Sequence, residues 1–150
     1  MAPIVVRAER TVDAPAEVVY GYIADMREHH PRFLPAEFSD FRVESGGAGA
    51  GTITRFTVTA GGRKRDYRMR VDEPEPGHVL TESDTNSSLV TTYTVTPQGA
   101  SSLVQIQTTW QGAGGIGGIF ERAFAPKVMQ RIYAESLNRL DAYVRDHPSA

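Results

Sequence analysis

Few side chains in this sequence can move protons or hold charge at neutral pH within an apolar setting, and they are scattered along the chain. Glu82 is the carboxylate best placed to act, because it lies in a short run, Val79-Leu80-Thr81-Glu82-Ser83, that reads as a strand. Leu80 and Glu82 share one side of that strand and Val79, Thr81 and Ser83 the other, so parity alone leaves its direction open. Arg55 has the same ambiguity, with Ile53 on its side and Phe56 and Val58 opposite. For both, an exposed face is the expectation, since unpaired charge is seldom buried. Tyr67, Tyr93, Thr91 and Thr108 share the apolar sides of their own strands and could offer hydroxyls to a carbonyl. Catalysis would need one acid–base group with a pKa moved by burial, and donors for a developing oxyanion. Glu82, Tyr67 and Arg55 are the candidates for such work.

Other polar clusters have plainer readings. His29 and His30 are adjacent, without an HExxH pattern or an acidic triad, so a solvated or capping role is expected, with the mouth of a pocket as the alternative. Arg63-Lys64-Arg65 follows Gly61-Gly62 and reads as the soluble tip of a hairpin. The glycines of 112–118 lack the Lys-Ser/Thr of a phosphate loop and the strand–helix–strand setting of a dinucleotide site. Nothing here calls for a metal or a cofactor.

Composition narrows the classes further. A chain of 150 residues with 40% apolar content suits one domain over 1–150 with a substantial core. A net charge of −2 gives no general attraction to nucleic acid or anionic membranes. The absence of cysteine removes disulfides, thiolate catalysis and sulfur-ligated zinc. No apolar run approaches membrane-spanning length and Met1 to Arg7 lacks the pattern of a signal peptide, so a cytoplasmic protein without membrane insertion is expected.

The elements that must position these residues follow from periodicity. From Pro126 to Arg145 apolar residues recur about every four positions, predicting a helix roughly 30 Å long. Pro126 should kink it or start it afresh, which makes 116–125 a short, mobile helical lead-in. Residues 4–12 alternate as a strand, Pro15 to Asp25 reads as a short helix, and 29–35, bracketed by prolines, as a smaller one. Six strands follow at about 39–45, 51–60, 63–73, 78–84, 88–96 and 102–111, joined by short Gly- or Pro-rich turns that favour antiparallel hairpins. One long helix covers only a band of a seven-stranded curved sheet, so bulky side chains or a ligand cavity must fill the remainder.

Several stretches carry a family likeness. They are Thr11 to Val19 with Asp25 following, Gly49-Ala50-Gly51-Thr52 opening a strand, Pro74-Glu75-Pro76-Gly77 between strands, and a Gly-rich lead into a terminal helix ending Leu137-Asn138-Arg139-Leu140. On these the chain resembles the helix-grip superfamily of START lipid-transfer domains, birch-pollen-type allergens and polyketide cyclase/dehydrases, called SRPBCC. Many relatives have a Trp before the proline of the second short helix, where this chain reads His-His-Pro. The resemblance implies an α+β fold, a seven-stranded antiparallel sheet wrapped around the C-terminal helix, with two short helices between the first two strands. It also implies an internal cavity for a small hydrophobic molecule. The expected lining is Phe56, Tyr67, Met69, Tyr93, Thr108 and Trp110, closed by Phe120 and Phe124, with the glycines of 112–118 as a gate. Three classes of function stay open: a carrier of a small hydrophobic molecule, a cyclase- or dehydratase-like enzyme, and a protein–protein module. The ligand and the oligomeric state are not written in the sequence.

Overall fold

The computed structural model describes residues 3–112 and 115–147, and the side chains of these apart from 115–124. Strand β1 (Ile4–Val12) ends at Asp13-Ala14-Pro15, and Pro15, extended at φ −61° and ψ 150°, is the N-cap of α1 (Ala16–Ala24). Pro15 thus stands one place earlier than a first-turn residue, with Val18 and Val19 donating to its carbonyl. A 3-10 turn, His30–Phe33, follows, held short by Pro31 and Pro35. Six strands come next: β2 (Phe38–Ser45), β3 (Ile53–Ala60), β4 (Arg63–Glu75), β5 (Val79–Asp84), β6 (Val90–Gln98) and β7 (Ser101–Trp110).

All seven strands form one antiparallel sheet in the order β1-β7-β6-β5-β4-β3-β2. Consecutive strands from β2 to β7 are neighbours because their connections are short. β1 pairs with β7 instead, because α1 and the 3-10 turn carry the chain across the concave side to the opposite edge. This is the helix-grip arrangement. The tightest hairpin is β3–β4, where Ala60 pairs with Arg63 across Gly61-Gly62, both at positive φ as a two-residue turn of matching twist demands.

The concave face carries the core, and alternation sorts the side chains: Thr54, Phe56 and Val58 of β3, Met69 and Val71 of β4, and Val104, Ile106 and Thr108 of β7 are buried. The last helix, α2 (Gly115–Asp146), differs from the expectation of a lead-in and a separate helix from Pro126, since one 32-residue helix runs through Pro126. A proline removes one backbone bond, about 3 kcal/mol with its clash, which a helix packed over many turns can offset. The gate expected at 112–118 includes 113 and 114, which lie outside the described residues, and it and the mobile lead-in of 116–125 involve side chains that are not among those described.

Two polar fastenings hold the helices to the sheet. Glu73 of β4 accepts from the Tyr20 hydroxyl at 2.7 Å and from the Ala50 amide at 2.7 Å, fixing α1 above the sheet. Gly49, at φ 67°, sits so close to that carboxylate that a Cβ would stand 2.3 Å from Glu73 Oε1. At the other edge the buried Asp141 of α2 accepts two bonds from Arg10 of β1, at 3.0 and 3.2 Å, and one from the Asp13 amide at 3.3 Å. Removing that carboxylate leaves the part-buried Asp13 amide contact unmade and a half-exposed Arg10 to rehydrate. Asp141→Ala is therefore expected to lower stability by about 1–3 kcal/mol, read as a lower denaturant midpoint at unchanged slope.

Candidate functional site

The 3-10 turn places one histidine of the pair inside and the other outside. His29 lies over α2, its Nδ1 2.7 Å from the Tyr143 hydroxyl and its ring 4.5 Å from Tyr22. His30 is only 2% exposed, among the rings of Phe33, Phe41 and Tyr93. Its Nδ1 stands 2.7 Å from the Ile23 carbonyl, so that nitrogen carries the hydrogen and donates it. Nε2 is left with its lone pair toward Glu82, whose Oε1 is 3.5 Å away.

Glu82 points inward, against the expectation of an exposed face. It is 6% exposed and shares the concave side of β5 with Leu80, between Val71 of β4 and Thr91 of β6. Its Oε1 has no hydrogen-bond partner among the described residues. Burial pushes the Glu82 carboxyl up to about 7, and burial pushes His30 down to about 4 against the pull of the Ile23 carbonyl. The 3.5 Å contact is therefore a neutral acid beside a neutral imidazole through the weakly acidic range, rather than an ion pair.

These two groups border a cavity of ≈ 40 Å³ that water can occupy. Phe38, Phe41, Phe56, Val58, Tyr67, Met69, Leu89 and Tyr93 form its sheet side, and Met129 and Tyr133 of α2 its other wall. Such a space holds a few waters, whereas small-ligand pockets run to about 300–1,000 Å³. A ligand must therefore widen it, and unbranched Met69 and Met129 are side chains that can swing aside. A larger open depression of ≈ 550 Å³ lies around Arg7, Glu9, Thr92, Thr94, Gln105 and Gln107 on the outer face. Most of its lining side chains are polar, and no buried acid–base group borders it.

The structure brings together four of the expected lining residues, Phe56, Tyr67, Met69 and Tyr93, with Glu82 beside them. Thr108 stands one layer back, joined to Thr91 at 2.7 Å and to the Tyr133 hydroxyl at 2.5 Å. Trp110 is not among the described residues that line this cavity: it is buried at the end of β7, opposite Ile4 of β1. Arg55 takes the exposed face expected of it, on the outer side with its side chain 43% exposed and 3.4 Å from Glu44, and so does not border this cavity as a candidate for its chemistry. Phe120 and Phe124 lie outside the side chains described. Sequence reasoning missed Phe41, Met129 and Tyr133, although Met129 and Tyr133 are four residues apart and so share a helix face. Burial raises the pKa of Tyr67, lifts Tyr93 well above the usual phenol range and pushes Tyr133 up to about 12, so all three are hydroxyl donors at neutral pH.

The family model for polyketide cyclase / dehydrase and lipid transport matches residues 3–145. The chain belongs to that family. Among solved structures, the KanY protein is 36% identical over 97% of this chain and 99% of its own, with a TM-score of 0.86. A protein of Thermus thermophilus is 25% identical over 97% and 99%, with a TM-score of 0.77. The Zhui aromatase/cyclase of a Streptomyces species, at 17% identity over 99% and 98%, shares the fold with a TM-score of 0.81. No curated protein matches by sequence. Family membership accounts for the helix-grip fold and the START-like likeness, and leaves the chemistry to this chain's own cavity.

The opposed shifts at Glu82 and His30 give a pH signature. Between about 4.5 and 7 the folded chain keeps a proton on Glu82 that the unfolded chain has lost, so this group lowers stability as pH rises. Between about 4 and 6.5 the unfolded chain carries a proton on His30 that the folded chain lacks, so this group raises stability as pH rises. The two slopes cancel where the windows overlap. Glu82→Gln should uncover the His30 slope, with unfolding free energy rising by about 1.4 kcal/mol per pH unit from 4.5 to 6.5 relative to wild type. His30→Gln should uncover the opposite slope in the same window; denaturant titrations at a series of pH values read both.

Proposed function

We propose that the protein takes a small apolar molecule bearing a carbonyl into the cavity between sheet and helix, and that Glu82 transfers protons on it. The observation that carries this reading is the Glu82 carboxyl, buried without a partner for Oε1 and shifted to about 7. A carrier needs only the Phe, Leu, Met and Val surfaces, and gains nothing from the cost of burying an unpaired acid. Near neutrality both forms of Glu82 are populated, which suits a group that takes a proton and returns it. On a β-hydroxy ketone the carboxylate would remove the proton from the carbon between carbonyl and hydroxyl. The new carbon–carbon double bond forms as the C–O bond breaks, and the proton passes from Glu82 to the departing hydroxide, leaving enone and water. Tyr67 and Tyr93 supply hydroxyl donors for the carbonyl oxygen as negative charge develops on it. His30 keeps a neutral nitrogen toward the carboxyl and so orients it without locking it into an ion pair.

A docking role on the outer sheet face has less support, because Val5 is the one large hydrophobic side chain among the described residues that is strongly exposed. The apolar wall favours simple carriage as the second reading. The two separate on 4-hydroxy-4-phenylbutan-2-one, whose dehydration to the conjugated enone is followed by ultraviolet absorbance. The expected result is a wild-type rate above buffer, with kcat/KM rising with pH through about 7 as Glu82 ionises. Glu82→Gln should lower kcat about 10²–10⁴-fold with KM nearly unchanged. Binding of the ketone with no rate above buffer would leave carriage as the function, and an undiminished Glu82→Gln rate would remove Glu82 from the chemistry.

A further inference from the structure

The tip of the β3–β4 hairpin carries three cations whose surroundings differ from those of the other arginines of these two strands. Arg55 and Arg68 share Glu44, Arg70 meets Asp72, and Arg10 meets Asp141. Among the described residues, Arg63, Lys64 and Arg65 form no ion pair. Alternation along β4 puts Arg65 on the same side as Tyr67 and the buried Met69, which is the concave side. Across the hairpin Arg65 faces Val58, and both Val58 and Tyr67 line the cavity. The guanidinium is close enough to the Tyr67 hydroxyl to pull its pKa down against the rise caused by burial.

Two carboxylates stand near these cations, and neither forms an ion pair with them. Asp66 is on the outer side, accepting from the Thr57 hydroxyl at 2.7 Å. Asp84, whose charge is also felt at Tyr67, closes its own turn by accepting from Ser87 Oγ at 2.6 Å and from the Asn86 amide at 3.2 Å. Arg63, Lys64 and Arg65 outnumber Asp66 and Asp84 at this hairpin, so the lip of the cavity carries an excess of positive charge in a chain of net charge −2.

The geometry points to an oxyanion-binding site at this lip, centred on Arg65 beside Tyr67, so that the molecule taken up carries a carboxylate, sulfonate or phosphate on its apolar body. The inference rests on the cavity as the binding site and adds the class of ligand. A guanidinium offers a planar fork of donors for such a group, and its attraction strengthens beside an apolar wall that excludes water. Val71 pairs with Glu82, six residues along β4 from Arg65, or roughly 20 Å at strand rise. Allowing for the reach of both side chains, the anion and the reacting carbon would stand on the order of 10–15 Å apart. That length suits an extended molecule of two or three rings or a chain of about ten carbons.

The test uses two fluorescent probes with the same apolar body, 8-anilinonaphthalene-1-sulfonate and uncharged N-phenyl-1-naphthylamine. Wild type should bind the sulfonate the more tightly, and added salt should narrow the gap. Arg65→Gln should weaken the sulfonate about tenfold and leave the amine within twofold. Arg139→Gln, on the exposed side of α2, should change neither. Displacement of the amine by dodecanoate, dodecyl phosphate and dodecanol then separates a carboxylate ligand from a phosphate ester, and both acids should lose their advantage over the alcohol in Arg65→Gln. Equal losses for both probes, or no loss, would overturn the site. Failure of either probe to bind at all would overturn the cavity reading with it, whereas an Arg65-dependent sulfonate preference without any dehydration activity would sustain the anion site and count against Glu82 chemistry alone.

Discussion

A seven-stranded sheet with one apolar face has more concave surface than one helix can cover, and most features of this protein answer to that mismatch. α2 lies along β1 and its Tyr133 reaches Thr108 of β7, on the half of the sheet where Val104, Ile106 and Trp110 are buried. Over β3 to β6 the cover is thinner, and α1, the 3-10 turn and a ring of aromatic side chains fill the space incompletely. The residual cavity is thus a consequence of shape. Rings at 5–6 Å spacing, Phe38, Phe41, Phe56 and Tyr67, make its wall stiff on the β2–β4 side.

Polar groups inside that space divide into satisfied and unsatisfied sets. Thr91, Thr108 and Tyr133 form a closed chain of hydroxyls that ties α2 to β6 and β7, as buried hydroxyls are expected to do. Glu82 departs from this rule. A folded chain tolerates such a carboxyl by keeping it protonated, and the neutral imidazole of His30 is compatible with that state because its Nδ1 hydrogen is spent on the Ile23 carbonyl. The placement of a proton, rather than the pairing of charges, keeps this corner of the core electrically neutral.

Much of the scaffold was legible without coordinates. The period-two runs located seven strands to within two residues at every end, and the spacing of mostly four residues through Val128, Ile132, Leu137, Leu140 and Val144 identified the terminal helix. Strand parity also placed Phe56, Tyr67, Met69 and Tyr93 on one face, since a strand with a single wet side can present its apolar set in only one direction. The resemblance in Gly49 to Thr52 corresponds to a physical need, the close approach of backbone to Glu73.

Tertiary structure alone decided the chemistry. Glu82 and Arg55 have equally ambiguous strands, and only the curvature of the sheet sends Glu82 under the helix and Arg55 to Glu44 outside. His30 and His29 are neighbours in sequence, yet a 3-10 turn between prolines rotates one into the core and the other toward Tyr143. Trp110 shares its apolar parity with Thr108 and still misses the cavity, because position along the strand, measured against the line of α2, determines what a concave residue faces. Periodicity reports which residues lie on a common face; which end of that face stays open depends on how distant elements cover it, and no local pattern encodes that.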